Sequence, residues 1–141
     1  MIIVTVDNQS DRLAELAACL QDAFPGSEVV DFIQPGLAVQ YSFQSHVDLV
    51  FAERFMRRLD GFQVAEGIRF FQPEAMIYLV SDARSTLRNT SHKGIMGSFV
   101  RPLSAEEIRL RVEKDRKVWE RIWQTKHTSA VSYPGTGGDI L

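Results

Sequence analysis

The chain is poor in the residues that make sites on their own. One cysteine, Cys19, in 141 residues excludes an internal disulfide and fits a reducing compartment. The histidines His46, His92 and His127 show no metal-ligand spacing and read as surface residues. No apolar run approaches the ~20 residues that cross a membrane. The start, Met1-Ile2-Ile3-Val4, lacks the basic flank of a signal peptide. A net charge of −2 gives no electrostatic case for nucleic acid or a membrane surface. A glycine-rich phosphate loop is also missing: Asp7-Asn8-Gln9-Ser10 stands where one would follow a first strand. Gly135-Thr-Gly-Gly follows no strand and lacks Gly-Lys-Ser/Thr. These absences describe a cytoplasmic domain that binds neither nucleic acid nor membrane.

What is present suits one soluble α/β domain, with 45% apolar and 24% charged residues. The pattern alternates. Ile2 to Val6 is a buried-strand run closed by Asp7-Asn8. Leu13, Leu16, Ala17, Leu20 and Phe24 recur at helical spacing until Pro25-Gly26. Glu28 to Ile33 reads as a strand with polar ends, hence an edge. A second, weaker helix enters through Pro35 and carries Leu37, Ala38, Tyr41 and Phe43. Val47 to Ala52 is a third strand, and Phe62, Ala65, Ile68 and Phe71 line a third helix ending before Pro73. Ala75 to Val80 is a fourth strand, Ala83 to His92 a marginal helix, and Gly97 to Val100 a fifth strand. Ser104 and Glu107 have the spacing of a capping box at the start of the last helix. That helix is expected over residues 104–124. Residues 125–141 read as a disordered tail or linker. Five strands alternating with helices imply a parallel sheet covered on both faces.

Function concentrates at the strand ends, where open α/β sheets place their chemistry. Asp7-Asn8 ends strand one, Glu53 strand three, Ser81 strand four and Arg101-Pro102 strand five. Asp48-Leu-Val, then Met56, then Leu59-Asp60-Gly61, with Gly94-Ile-Met-Gly-Ser-Phe-Val-Arg-Pro-Leu further on, resembles the receiver (CheY-like) domain of bacterial response regulators. The likeness spans about Ile2 to Lys117. It implies a flavodoxin-like, doubly wound, five-stranded parallel sheet in the order 2-1-3-4-5.

The resemblance also implies a site. In the family, an aspartate ending strand three accepts a phosphoryl group beside magnesium held by acids, and a Ser/Thr and a Lys contact the phosphoryl oxygens. Here Asp7 matches the first acid and Asn8 stands where a ligating acid is usual. Glu53 replaces the phosphoacceptor, Ser81 keeps the hydroxyl and Arg101 replaces the Lys. Ser98 falls at the switch aromatic, with Phe99 one place off and facing the other way. Asp82 takes a position usually kept small. An extra methylene at Glu53 displaces the nucleophile, and errors near ~1 Å can lower rates ~10²-fold. With Asp7 and Glu53 as the remaining carboxylate ligands, magnesium binding is expected to be weak or absent, and no other cofactor is implied. Arg101 offers Glu53 a planar fork, so the two form either an ordinary ion pair or a lock that holds one state.

The expected function is a degenerate receiver acting as a phosphorylation-independent protein-interaction module, without catalysis. The alternatives are a receiver that still takes phosphate or another anion and regulates an attached output domain, and a flavodoxin-like enzyme or nucleotide binder. Partners are then a protein or an effector domain. Trp119, Ile122 and Trp123 lie on one stripe beyond the expected sheet edge, which points to homodimerisation through the last helix or to packing on an adjoining domain. Arg54, Arg57 and Arg58 cluster after Glu53, either as a solvated loop or as a docking site for an acidic partner. Cys19 reads as a partly buried small residue.

Overall fold

A computed structural model describes residues 1–82 and 94–131, with side chains described as far as residue 125. The elements run β1 (Ile2–Val6), α1 (Ser10–Ala23), β2 (Glu28–Phe32), α2 (Pro35–Gln44), β3 (Leu49–Glu53), α3 (Gly61–Phe71), β4 (Met76–Ser81), β5 (Gly97–Val100) and α4 (Ala105–Val131). All strand pairs are parallel, in the order β2-β1-β3-β4-β5. This is the CheY-like order, and β2 is an edge as its polar ends imply. The helix expected over Ala83 to His92 lies outside the described residues.

Side-chain alternation divides the core in two. Ile3, Leu49, Phe51, Met76, Tyr78, Val80 and Phe99 face α1 and α4, meeting Leu16, Leu20, Ile108 and Val112. Val4, Val6, Val50, Ala52, Ile77 and Leu79 face α2 and α3, meeting Ala38, Val64, Ala65 and Ile68. Phe51, Tyr78 and Phe99 pack as an aromatic row with centroids 5.3–6.0 Å apart. The Tyr78 hydroxyl donates to Asp115 of α4 at 2.7 Å, which satisfies a polar group inside that row. Burial, then this carboxylate, pushes the Tyr78 phenol up from its ordinary value. Cys19 is half-buried, as expected, and burial raises its thiol.

Three expectations change. Leu37 and Phe43 of α2 point outward rather than into the core, at 47% and 65% exposure. α4 runs on to Val131 rather than stopping near Gln124, so residues 125–131 are helical and not part of a disordered tail. Trp119 does not stand free on an overhang: its Nε1–H donates to the Glu74 carbonyl at 2.7 Å, and its ring packs against the core. Trp123 is half-buried and meets Trp119 edge-on at 6.1 Å, whereas Ile122 is 42% exposed. No helix among the described residues is long and apolar enough to cross a membrane.

Candidate functional site

The carboxyl ends of β1, β3 and β4 and the exit of β5 converge. Ladder bonds continue one residue past the strands: Asp7 N–H donates to Phe32 O, Arg54 N–H to Val80 O and Arg101 N–H to Ser81 O, at 2.8–3.1 Å. The backbone thus fixes where each terminal side chain starts. Asp7 is 0% exposed, Glu53 4% and Ser81 2%.

Three carboxylates and two arginines form one chain of contacts. Arg101 Nη2 lies 3.1 Å from Asp7 Oδ2 and 2.7 Å from Glu53 Oε1. Arg101 Nη1 donates to Asp82 Oδ1 at 3.0 Å, and Arg12 of α1 pairs with Asp82 Oδ2. The other site oxygens are bound by loop amides: Gln9 N–H donates to Asp7 Oδ1 at 3.0 Å, and Phe55 N–H to Glu53 Oε2 at 3.1 Å. The Glu53 Oε1 contact is close but badly directed, so that buried oxygen has an ion-pair neighbour and no hydrogen bond. The geometry makes it a Coulombic contact, whereas Arg101 to Asp7 is a directed bond. Burial raises the Asp7 carboxyl above its ordinary range, the Gln9 amide opposes this, and Glu53 pushes the same way as burial. Asp82 behaves oppositely: some desolvation is outweighed by hydrogen bonds from Arg12 and Arg101, and its carboxyl sits below the usual range.

The anticipated Glu53–Arg101 pair is therefore present, and Asp7 shares the same guanidinium. Asp82 is not a loose negative charge, because two arginines bracket it. Arg12 was missed by sequence reasoning, since nothing local marks it. Its only signal is its place in the first turn of α1, at the strand-terminal end of the sheet. Asn8 is half-buried beside Asp7. Ser98 pairs in register with Leu79 and so shares the α2–α3 face, while Phe99 lies in the opposite core. The serine at the switch position does not place an aromatic ring there.

Magnesium, the ion that the resemblance implies, does not fit these residues as arranged. It would have to bind Asp7 and Glu53 while a guanidinium nitrogen touches both. Like charges a few ångströms apart repel by on the order of several kcal/mol even at intermediate dielectric. Among the described residues no group of three or more His, Cys, Asp or Glu side chains is arranged to hold a metal.

No protein-family model matches the sequence, and no curated protein matches it. Solved structures do match. A response regulator receiver domain protein from Clostridium thermocellum is 18% identical with a TM-score of 0.68, the match covering 82% of this chain and 95% of that one. The signal receiver domain of an HD domain-containing protein from Pseudomonas fluorescens Pf-5 gives 19%, 0.72, 85% and 97% in the same order. The response regulator protein TrrA from Thermotoga maritima, in complex with Mg2+ and BeF, gives 24%, 0.70, 80% and 96%. The fold is that of the response regulator receiver domains.

Proposed function

From the receiver fold and the arginine at its centre, we propose a two-component signalling module that binds protein partners without accepting a phosphoryl group. The observation that carries this reading is the Arg101 guanidinium seated between Asp7 and Glu53, at 3.1 and 2.7 Å. Both terminal nitrogens of Arg101 are engaged by carboxylates, Nη1 by Asp82. One oxygen of Glu53 faces that cation and the other accepts the Phe55 amide. A carboxylate nucleophile needs an oxygen in line with the donor phosphorus, and here both are held in other contacts. The bound arginine supplies the positive charge that a metal would otherwise bring to the acid pair. The domain then stays in one state, and signalling acts through what binds it or through a domain attached to it.

Incubation with magnesium and a small phosphodonor is expected to leave the intact mass unchanged. Millimolar magnesium is likewise expected to leave the thermal midpoint where it was, because a native-state ligand stabilises by mass action. A phosphoryl adduct that disappears in Glu53→Gln would overturn the reading.

A contact surface on α4 also follows. Val118 and Ile122 lie one turn apart and are 49% and 42% exposed, whereas Trp119 is tied to Glu74. Self-association through this stripe predicts a dimer in sedimentation at tens of micromolar, lost in Val118→Asp with Ile122→Asp. A wild-type monomer at that concentration would rule it out.

A further inference from the structure

The loops that hold the acid site also wall a groove. It lies between the β2–α2 connection and the β3–α3 loop and has a volume of about 1070 Å³. Its apolar surface comes from Ile33, Leu37 and Phe55, which are 44%, 47% and 59% exposed, together with half-buried Met56. Arg57 and Arg58 stand on its wall, both exposed, and among the described residues no carboxylate lines it. In a chain of net charge −2, this makes a local surface that is apolar and basic together.

The backbone presents the two arginines under constraint. Leu59 N–H donates to Arg57 O at 2.8 Å across Arg58, whose φ is +70°. A γ-turn with positive φ is rare for a non-glycine residue, and such conformations persist where the surroundings over-determine them. Behind the turn, Arg54 lies 4.9 Å from the centres of both the Phe55 and Phe62 rings. Among the described residues no ion pair engages Arg57 or Arg58, so the wall keeps its charge. The groove is also tied to the site. Phe55 gives its amide to Glu53, and Gln9, on the groove's other side, gives its amide to Asp7.

We propose that this groove docks a short acidic, amphipathic segment of a partner protein. Its apolar side chains would cover Ile33, Leu37 and Phe55, and its carboxylates would pair with Arg57 and Arg58. Charge complementarity selects the occupant. A basic segment would meet two cations and, among the described residues lining the groove, no anion to offset them. A small anion would leave three exposed apolar side chains uncovered. Arginine favours bidentate contact with carboxylates, and rim charges mainly steer association, so binding should weaken with salt. The proposal rests on the reading of the domain as an interaction module and supplies that module's contact face.

The test uses the full chain, isotope-labelled for NMR, and three labelled peptides. One has Phe-Leu flanked on each side by Asp-Glu, the second replaces each Asp-Glu with Lys-Lys, and the third keeps the acids but replaces Phe-Leu with Gly-Ser. The acidic apolar peptide is expected to shift amides at residues 33–37 and 55–59. Its affinity should be at least about tenfold above the other two and fall several-fold between low and moderate salt. Arg57→Ser with Arg58→Gly should reduce it about tenfold; the glycine suits the positive φ, so the turn survives. Leu37→Asp should weaken it independently. Equal binding of all three peptides, shifts confined to another face, or equal shifts from inorganic phosphate alone would overturn the proposal. A dimer that occupies the same residues would overturn it in favour of a second copy. The groove variants leave Asp7, Glu53 and Arg101 untouched, so failure here is separable from failure of the phosphodonor experiment.

Discussion

Arg101→Ala is expected to destabilise the fold by about 3–5 kcal/mol, the usual result of removing one partner from a buried charge pair. In a domain of this size that lowers the thermal midpoint by about 10 °C or more. Asp7 and Glu53 are almost without solvent, at 0% and 4% exposure, and Arg101 is the cation in contact with both. Without it, two buried carboxylates face each other, and among the described residues the loop amides and the more distant charge of Arg12 remain to offset them. Arg101→Lys should lose less, because the charge remains while the fork that reaches Asp7 and Asp82 together is lost. Adding Asp7→Asn to Arg101→Ala should recover part of the loss, and the double-mutant cycle measures the coupling directly.

The pH dependence has a definite sign. The Asp7 carboxyl lies above its unfolded value, for which burial is the main cause, so the folded state holds its proton to higher pH than the unfolded chain does. Its contribution to stability is fully present below the unfolded value near ~3.9 and is lost as pH rises through the folded value. Removing Arg101 deletes a charge that pulls this value down, so the folded value moves further up. The Arg101→Ala deficit should therefore be larger at pH 8 than at pH 4, near the unfolded value, in urea titrations. Equal deficits at the two pH values would mean that Asp7 is not what Arg101 stabilises.

The ends of the strands were readable because each apolar run stops abruptly at a polar residue, and parallel pairing carries those stops to one edge of the sheet. The sequence pattern alone thus groups Asp7, Glu53, Ser81 and Arg101 at that edge. Arg12 could not be read this way. Its partner Asp82 is 70 positions along the chain, and only the packing of α1 beside the strand ends joins them. Trp119 shows the same limit. The helical stripe correctly grouped it with Trp123, but its partner is a backbone carbonyl at the entry to β4, which no side-chain pattern reveals. The composition turns small and polar after Gln124, but no Pro or Gly interrupts residues 105–131, and the helix continues. Caps were legible in kind but uneven in detail. Ser104 accepts from the Glu107 amide, which is half of the expected box. The complete reciprocal box is Asp60 with Gln63 at the start of α3.

Gly61→Ala tests the close approach that sets Glu53. Alanine is intrinsically the better helix former by about 1 kcal/mol, so propensity alone predicts stabilisation at this first position of α3. Packing predicts the reverse. A Cβ built at Gly61 would lie 2.6 Å from the Glu53 carbonyl oxygen, 2.9 Å from Arg54 Cα and 3.0 Å from Leu79 Cδ2. Two of these are backbone atoms at the exit of β3, and the Gly61 amide also donates to Arg54 O at 2.9 Å. Relief therefore requires α3 to withdraw or β3 to shift, and either breaks that bond or moves Glu53 relative to Arg101. Overpacking of this kind costs about 3 kcal/mol at the upper end of its usual range, enough to outweigh the propensity gain. Gly36→Ala is the matched control, because a Cβ there meets nothing within 4 Å and the residue lies within α2. It should stabilise by about 0.5–1 kcal/mol. Chemical denaturation of the two variants gives opposite signs if backbone proximity dominates at Gly61. Stabilisation by both would show that the exit of β3 yields easily, and that Glu53 is not held in place by the start of α3.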